Sequence, residues 1–125
     1  MNMEKLTDKS REALINAQQS AMDRGNPEIK SLHLLNALMK DDTSLVPSIL
    51  KKCAVNCDLF RNKLDEQLAR LPQISDRSNF QPAMSGELAA VLNHAEKSAS
   101  EMGDEYTSVE HLLLGIAGFG KEAAE

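Results

Sequence analysis

The residues of this chain whose types could do chemistry are two cysteines, a few histidines and a short acidic stretch. Cys53 and Cys57 stand on one turn's spacing. A structural zinc site needs four convergent nitrogen or sulfur ligands, and no second cysteine pair or nearby histidine completes the set. Two free thiols are expected. His33 and His111 sit on apolar segments without a Cys, Asp or Glu at ligand spacing, so each reads as a packed or surface-edge histidine. Gly118-Phe119-Gly120-Lys121 superficially resembles a phosphate loop, but Glu122 follows where a Ser or Thr is needed and the earlier glycine is misplaced. No G-x-S-x-G and no Cys with a plausible His and Asn set occurs. No catalysis, no metal and no cofactor is expected in this chain.

The elements that carry these residues are duplicated. His33-Leu34-Leu35 recurs as His111-Leu112-Leu113 at an offset of 78 positions, and the same offset pairs Leu14 with Leu92, Ala17 with Ala95, Ser20 with Ser98, Ala21 with Ala99 and Gly25 with Gly103. Chance would give about two identities over such a stretch. Two copies of one helical unit imply a pseudo-symmetric bundle, and the seam between copies is the natural place to bind something.

Helical periodicity dominates and no alternating strand stands out. Thr7 is the expected N-cap of a helix over about 8–22, with Ala13, Leu14, Ala17 and Ala21 facing inward. Ser85 is the matching cap in the second copy, ahead of Leu88, Val91, Leu92, Ala95, Ala99 and Met102. The small residues at 17, 21, 95 and 99 allow close approach of another backbone. Gly25 and Gly103 fall where a left-handed residue ends each helix. Second helices are expected at about 31–40 and 108–117, and the first copy continues with helices near 44–53 and 57–71. Leu64, Leu68 and Leu71 face inward in the last of these, and Pro72 stops it. Residues 1–74 thus form the first copy and 75–84 a linker in which Phe80 can pin the chain to the body. Residues 85–125 form a second copy that lacks its last two helices.

Thr107-Ser108-Val109-Glu110 fits a capping box, in which Thr and Glu reciprocally satisfy backbone donors. The alternative is that Glu110 and nearby Asp104 offer charge at a partner-binding edge. Leu32 stands in the first copy where Glu110 stands in the second, so the repeat itself does not require the acid.

At 125 residues the chain is one domain, able to bury roughly two-thirds of its unfolded surface. The 19 Asp and Glu against 14 Lys and Arg give no electrostatic footprint for nucleic acid or an anionic membrane. Tyr106 and three Phe, with no Trp, leave no stacking platform for single strands. No apolar run approaches a membrane span, and the N-terminus lacks the apolar segment of a signal peptide, so the cytoplasm is the expected location.

The motifs together resemble the double Clp-type N-terminal domain family, in particular the branch found in ClpB-type disaggregases. The resemblance rests on Lys5-Leu6-Thr7 entering Ala13-Leu14 and Ala17, and on Glu28-Ile29 before His33-Leu34-Leu35-Asn36-Ala37-Leu38. It extends through Leu68-Ala69-Arg70-Leu71-Pro72-Gln73-Ile74 and the run from Gly103 to Leu114. It implies an all-α fold, a duplicated four-helix unit about a pseudo-twofold axis with the second repeat truncated. It also implies the N-terminal module of a homohexameric, ATP-driven chaperone whose ATPase domains, and therefore ATP, lie outside this chain. The expected partners are unfolded or aggregated polypeptides, with adaptor or co-chaperone proteins as further ones, and the isolated domain is expected to be a monomer.

Thr7, Asp104 and Glu110 match family residues tied to substrate engagement and are expected as a polar rim. Leu14 and Leu92 are expected on the apolar floor of a groove between the two helices that start after Thr7 and Ser85, with His111 beside it. The competing reading is an adaptor-docking domain of a ClpA- or ClpC-like protease ATPase. That type usually carries a Gly-Thr-Glu-His signature in both copies, whereas the first copy here reads Lys30-Ser31-Leu32-His33. A small enzyme or metal protein using the cysteines and histidines is the third class, dismissed by a zinc assay that finds no stoichiometric metal.

Overall fold

The structure, a computed structural model, describes residues 3–40, 49, 51–52, 56–74 and 80–119. A 3-10 turn at Met3–Lys5 leads into helix α1 (Asp8–Arg24), a short strand β1 (Glu28–Ile29) and helix α2 (Ser31–Lys40). Helix α3 (Cys57–Ala69), strand β2 (Ala83–Met84), α4 (Gly86–Glu101) and α5 (Val109–Phe119) follow. The chain is all-α with pseudo-twofold symmetry, as the repeat implies. The expected helix near 44–53 and the two-free-thiol expectation for Cys53 and Cys57 lie largely outside the described residues.

Local chemistry sets the helix ends. Thr7 and Ser85 are extended, and their hydroxyls accept from Ser10 N and Leu88 N, satisfying donors that a first helical turn leaves open. Gly25 and Gly103 stop the helices in the left-handed region, with φ of 71° and 75°. There the Asn26 and Asp104 amides reach back to the carbonyls of Ala21 and Ala99. Met102, expected on the inward stripe of α4, is exposed instead. Met102 is the C-cap and keeps right-handed helical angles, so it is exposed because nothing among the described residues covers that end of the α4 stripe.

Tertiary pairing laces the copies together. Strand β1 pairs in parallel with β2, Ile29 opposite Met84, and the same offset of 78 maps this pair onto a bridge between Thr107 and Leu6. The Ser85 amide donates to Ile29 O at 3.1 Å, and the Thr7 amide donates to Thr107 O at 3.1 Å. These two-residue strands were not visible as alternation, because a pairing this short leaves no period to read. Each copy's entry segment therefore zips onto the other copy's segment ahead of its second helix.

Helices α2 and α5 meet at the centre, with α1 packed chiefly on α2 and α4 chiefly on α5. Exchanging the copies maps the α2–α5 contact onto itself, so the axis passes there. The groove expected between the helices that follow Thr7 and Ser85 would instead have set α1 against α4. Leu34, Leu38, Leu68, Leu88, Leu92 and Leu112 fill the core, each worth about 1.5–3 kcal/mol when fully buried. Helix α4 crosses α5 closely at Gly115. A Cβ added to Gly115 would stand 2.7 Å from Val91 O, so only glycine fits there. Phe80, in the linker, is half-buried.

Candidate functional site at the second-copy corner

Each copy has a corner where its first helix ends and its second begins, and a histidine organises both. In the first copy Lys30 N donates to His33 Nδ1 at 2.9 Å, and in the second Ser108 N donates to His111 Nδ1 at 2.9 Å. Each histidine thus supplies the reach-back half of a capping box from the third helical position, a role usually filled by Glu. The expected box of Thr107 with Glu110 is displaced by one residue. Thr107 is held extended by its bridge to Leu6, its amide donating to Lys5 O, so Ser108 becomes the cap.

With Nδ1 accepting a backbone N–H, Nε2 carries the hydrogen. His33 Nε2 donates to Asn26 Oδ1 at 2.8 Å, and His111 Nε2 to Asp104 Oδ2 at 3.1 Å. Both imidazoles are buried, which settles the sequence question in favour of packed histidines. Ser108, His111 and Asp104 resemble a hydrolytic triad only in composition. The Nδ1 lone pair facing Ser108 Oγ already accepts the Ser108 amide, and the hydroxyl donates to Glu110 Oε2. Without a free base at the serine, no nucleophile is generated. Among the described residues no group of three His, Cys, Asp or Glu side chains is placed to hold a metal.

The two corners differ in what lies over them. The first is shut by its own chain: Asn26 Nδ2 donates to Pro72 O at 2.9 Å and Ile74 N to Gly25 O at 2.7 Å. Asn26 is buried as a result. Its counterpart Asp104 has a side chain 53% exposed. Asp104 and Glu110 border a depression of about 570 Å³ that is also lined by Met102, Glu105, Tyr106, Ser108, His111 and Leu114. Met102, Tyr106 and Leu114 are 60%, 50% and 49% exposed, so a substantial apolar surface lies among the carboxylates.

Residues 5–125 match the Clp repeat (R) N-terminal domain family. The chain belongs to that family. It is 42% identical over 111 residues to the chaperone protein ClpB of Mycobacterium leprae, an alignment spanning 89% of this chain and 13% of that protein. The fold of this Clp repeat domain is similar to the Hsp104 N-terminal domain from Candida albicans, with a TM-score of 0.81 and 23% identity over 96% of this chain and 82% of that one. It is similar also to a ClpV N-domain solved in complex with a VipB peptide, with a TM-score of 0.79 and 24% identity over 92% and 69% of the two chains.

In this Clp repeat domain Asp104, Glu110 and His111 come together at one corner. Thr7 stands behind it: its amide donates to Thr107 O, and its hydroxyl donates to Ser10 Oγ, which in turn donates to the same carbonyl at 3.0 Å. Leu92, 1% exposed, lies in the core, and Leu14 packs half-buried against that core away from the depression. Sequence reasoning missed Tyr106, Leu114, Glu105 and Ser108. Leu114 had a legible signal, since it falls between the buried positions Leu112 and Ile116 of α5 and so points off the inward face. Tyr106 had none, because its exposure depends on where the loop runs.

Proposed function

We propose that this chain is the client-binding module of a ClpB-like, ATP-driven chaperone and captures unfolded or aggregated polypeptide for disaggregation. The observation that carries the reading is the open amphipathic depression at the second-copy corner, where exposed Met102, Tyr106 and Leu114 lie beside Asp104 and Glu110. An extended segment can lay apolar side chains on those three residues while its backbone amides donate to the two carboxylates. Thr7 supports the rim through Thr107 without touching the ligand, and Leu92 supports it from the core. The ClpV N-domain, which shares this fold, is known in complex with a peptide.

A flexible ligand loses conformational entropy on docking, so single-site affinity is weak. Six copies in a hexamer would compensate by raising the effective concentration of the remaining sites. ATP would act in domains outside this chain. The test is an amide chemical-shift titration of labelled protein with a permanently unfolded polypeptide and, separately, with a folded protein. Shifts at residues 102–114 with the unfolded ligand alone support capture. Shifts with a folded adaptor alone move adaptor docking ahead, and no shift with either overturns the assignment of the site.

A further inference from the structure

The two corners share backbone geometry and histidine hydrogen bonds but differ in charge, the first carrying Arg24 and Lys30 with one acid, Glu28, where the second has Tyr106. Where the second has Asp104, Glu105 and Glu110, the offset of 78 places Asn26, Pro27 and Leu32 in the first. Where the second has Met102 and Ser108, the first has Arg24 and Lys30. The second corner thus gathers three carboxylates around its depression with no Lys or Arg among the lining residues.

We propose that the second-copy corner selects polypeptide segments in which a Lys or Arg stands beside apolar residues. This rests on the client-capture reading and names the chemistry of the client. Two of the carboxylates are pre-positioned, Asp104 by His111 Nε2 and Glu110 by Ser108 Oγ, so their remaining lone pairs are held ready for donors. The amide of Asn26 closes the first corner by donating to a backbone carbonyl, that of Pro72. Asp104 has no hydrogen to donate at that place, and a carbonyl there would meet an acceptor. A cationic donor is the complementary group. Its aliphatic stem can lie across Met102, Leu114 and the Tyr106 ring while its head reaches the acids. The N-terminus of α5 opposes a cation with roughly half a positive charge, which three carboxylates outweigh.

The experiment compares three extended peptides of equal length and apolar content, carrying two Lys, two Gln or two Glu, titrated into the labelled chain at about 50 and 300 mM salt. The Lys peptide is expected to bind at least tenfold tighter than the Glu peptide at low salt, with shifts centred on 102–114. Most of that preference should disappear at high salt, where the screening length falls to several ångströms. The exposed Glu105→Gln, outside the pair that accepts backbone amides, should reduce the preference while leaving affinity for the Gln peptide unchanged, and Glu110→Gln should weaken all three peptides, the Lys peptide most. Equal affinity for all three at this corner overturns the charge selection and leaves client capture standing. No binding of any peptide overturns capture itself. Concentration-dependent broadening at 102–114 without peptide assigns the corner to a second copy of this chain and overturns the proposal.

Discussion

Gly115→Ala tests the close approach of α4 and α5. In the interior of an isolated helix this change stabilises by about 1 kcal/mol, because alanine loses less backbone entropy. Here the new Cβ would stand 2.7 Å from Val91 O and 3.2 Å from Val91 Cγ1. The side chain could rotate away, but the carbonyl is fixed within α4. Relief requires α4 and α5 to separate by roughly half an ångström, and a gap of that order forfeits about a quarter or more of the dispersion energy of each atom pair along the crossing. Overpacking of this kind costs about 1–3 kcal/mol. Net of the propensity gain of about 1 kcal/mol, a loss of up to about 2 kcal/mol is expected, read as a Tm lower by up to about 8 °C. Chemical denaturation should show a lower midpoint with an unchanged slope. Val91→Ala in the same background should not restore stability, since the backbone contact remains. A Gly115→Ala variant more stable than the parent would refute the close crossing.

The same offset yields an asymmetric pair. Asn26→Asp should cost about 3 kcal/mol, because it buries a carboxylate against Pro72 O and removes the donor of that contact, whereas Asp104→Asn at the exposed equivalent should stay within about 1 kcal/mol by thermal melting. Glu87 reaches across from α4 to cap α2, accepting from Ser31 N at 3.0 Å and Ser31 Oγ at 2.8 Å. Glu87→Ala should therefore destabilise by about 1–2 kcal/mol and speed amide exchange at Ser31. Thr7→Ala removes an N-cap and an anchor of the Ser10–Thr107 contact. It should cost about 1 kcal/mol, with shift changes at Ser10 and Thr107 that identify its effect as support of the corner.

How much of this was legible follows from the range of each interaction. The caps at Thr7 and Ser85, the left-handed glycines and the alanine stripes are local features. Each is read from a few residues, and the structure places them as expected. The shift of the α5 cap from Thr107 to Ser108 was not legible, because it comes from the bridge to Leu6 about a hundred positions away in sequence. Met102 and Leu92 exchanged roles for a similar reason: helical phase alone does not say where α4 stops or which helix covers it.

The sequence by itself determined a duplicated all-helical domain, the N-caps of α1 and α4, the left-handed glycines, the alanine stripes and the family. Those depend on spacing and on side chains that act within one turn of their own backbone. Only the tertiary structure decided which of two equivalent corners is available. The chain after α3 donates and accepts across Gly25 and Asn26 and shuts the first, while the second keeps Asp104, Tyr106 and Glu110 in contact with solvent. Exposure at a corner is set by what folds over it, and that is a property of chain segments far apart in sequence.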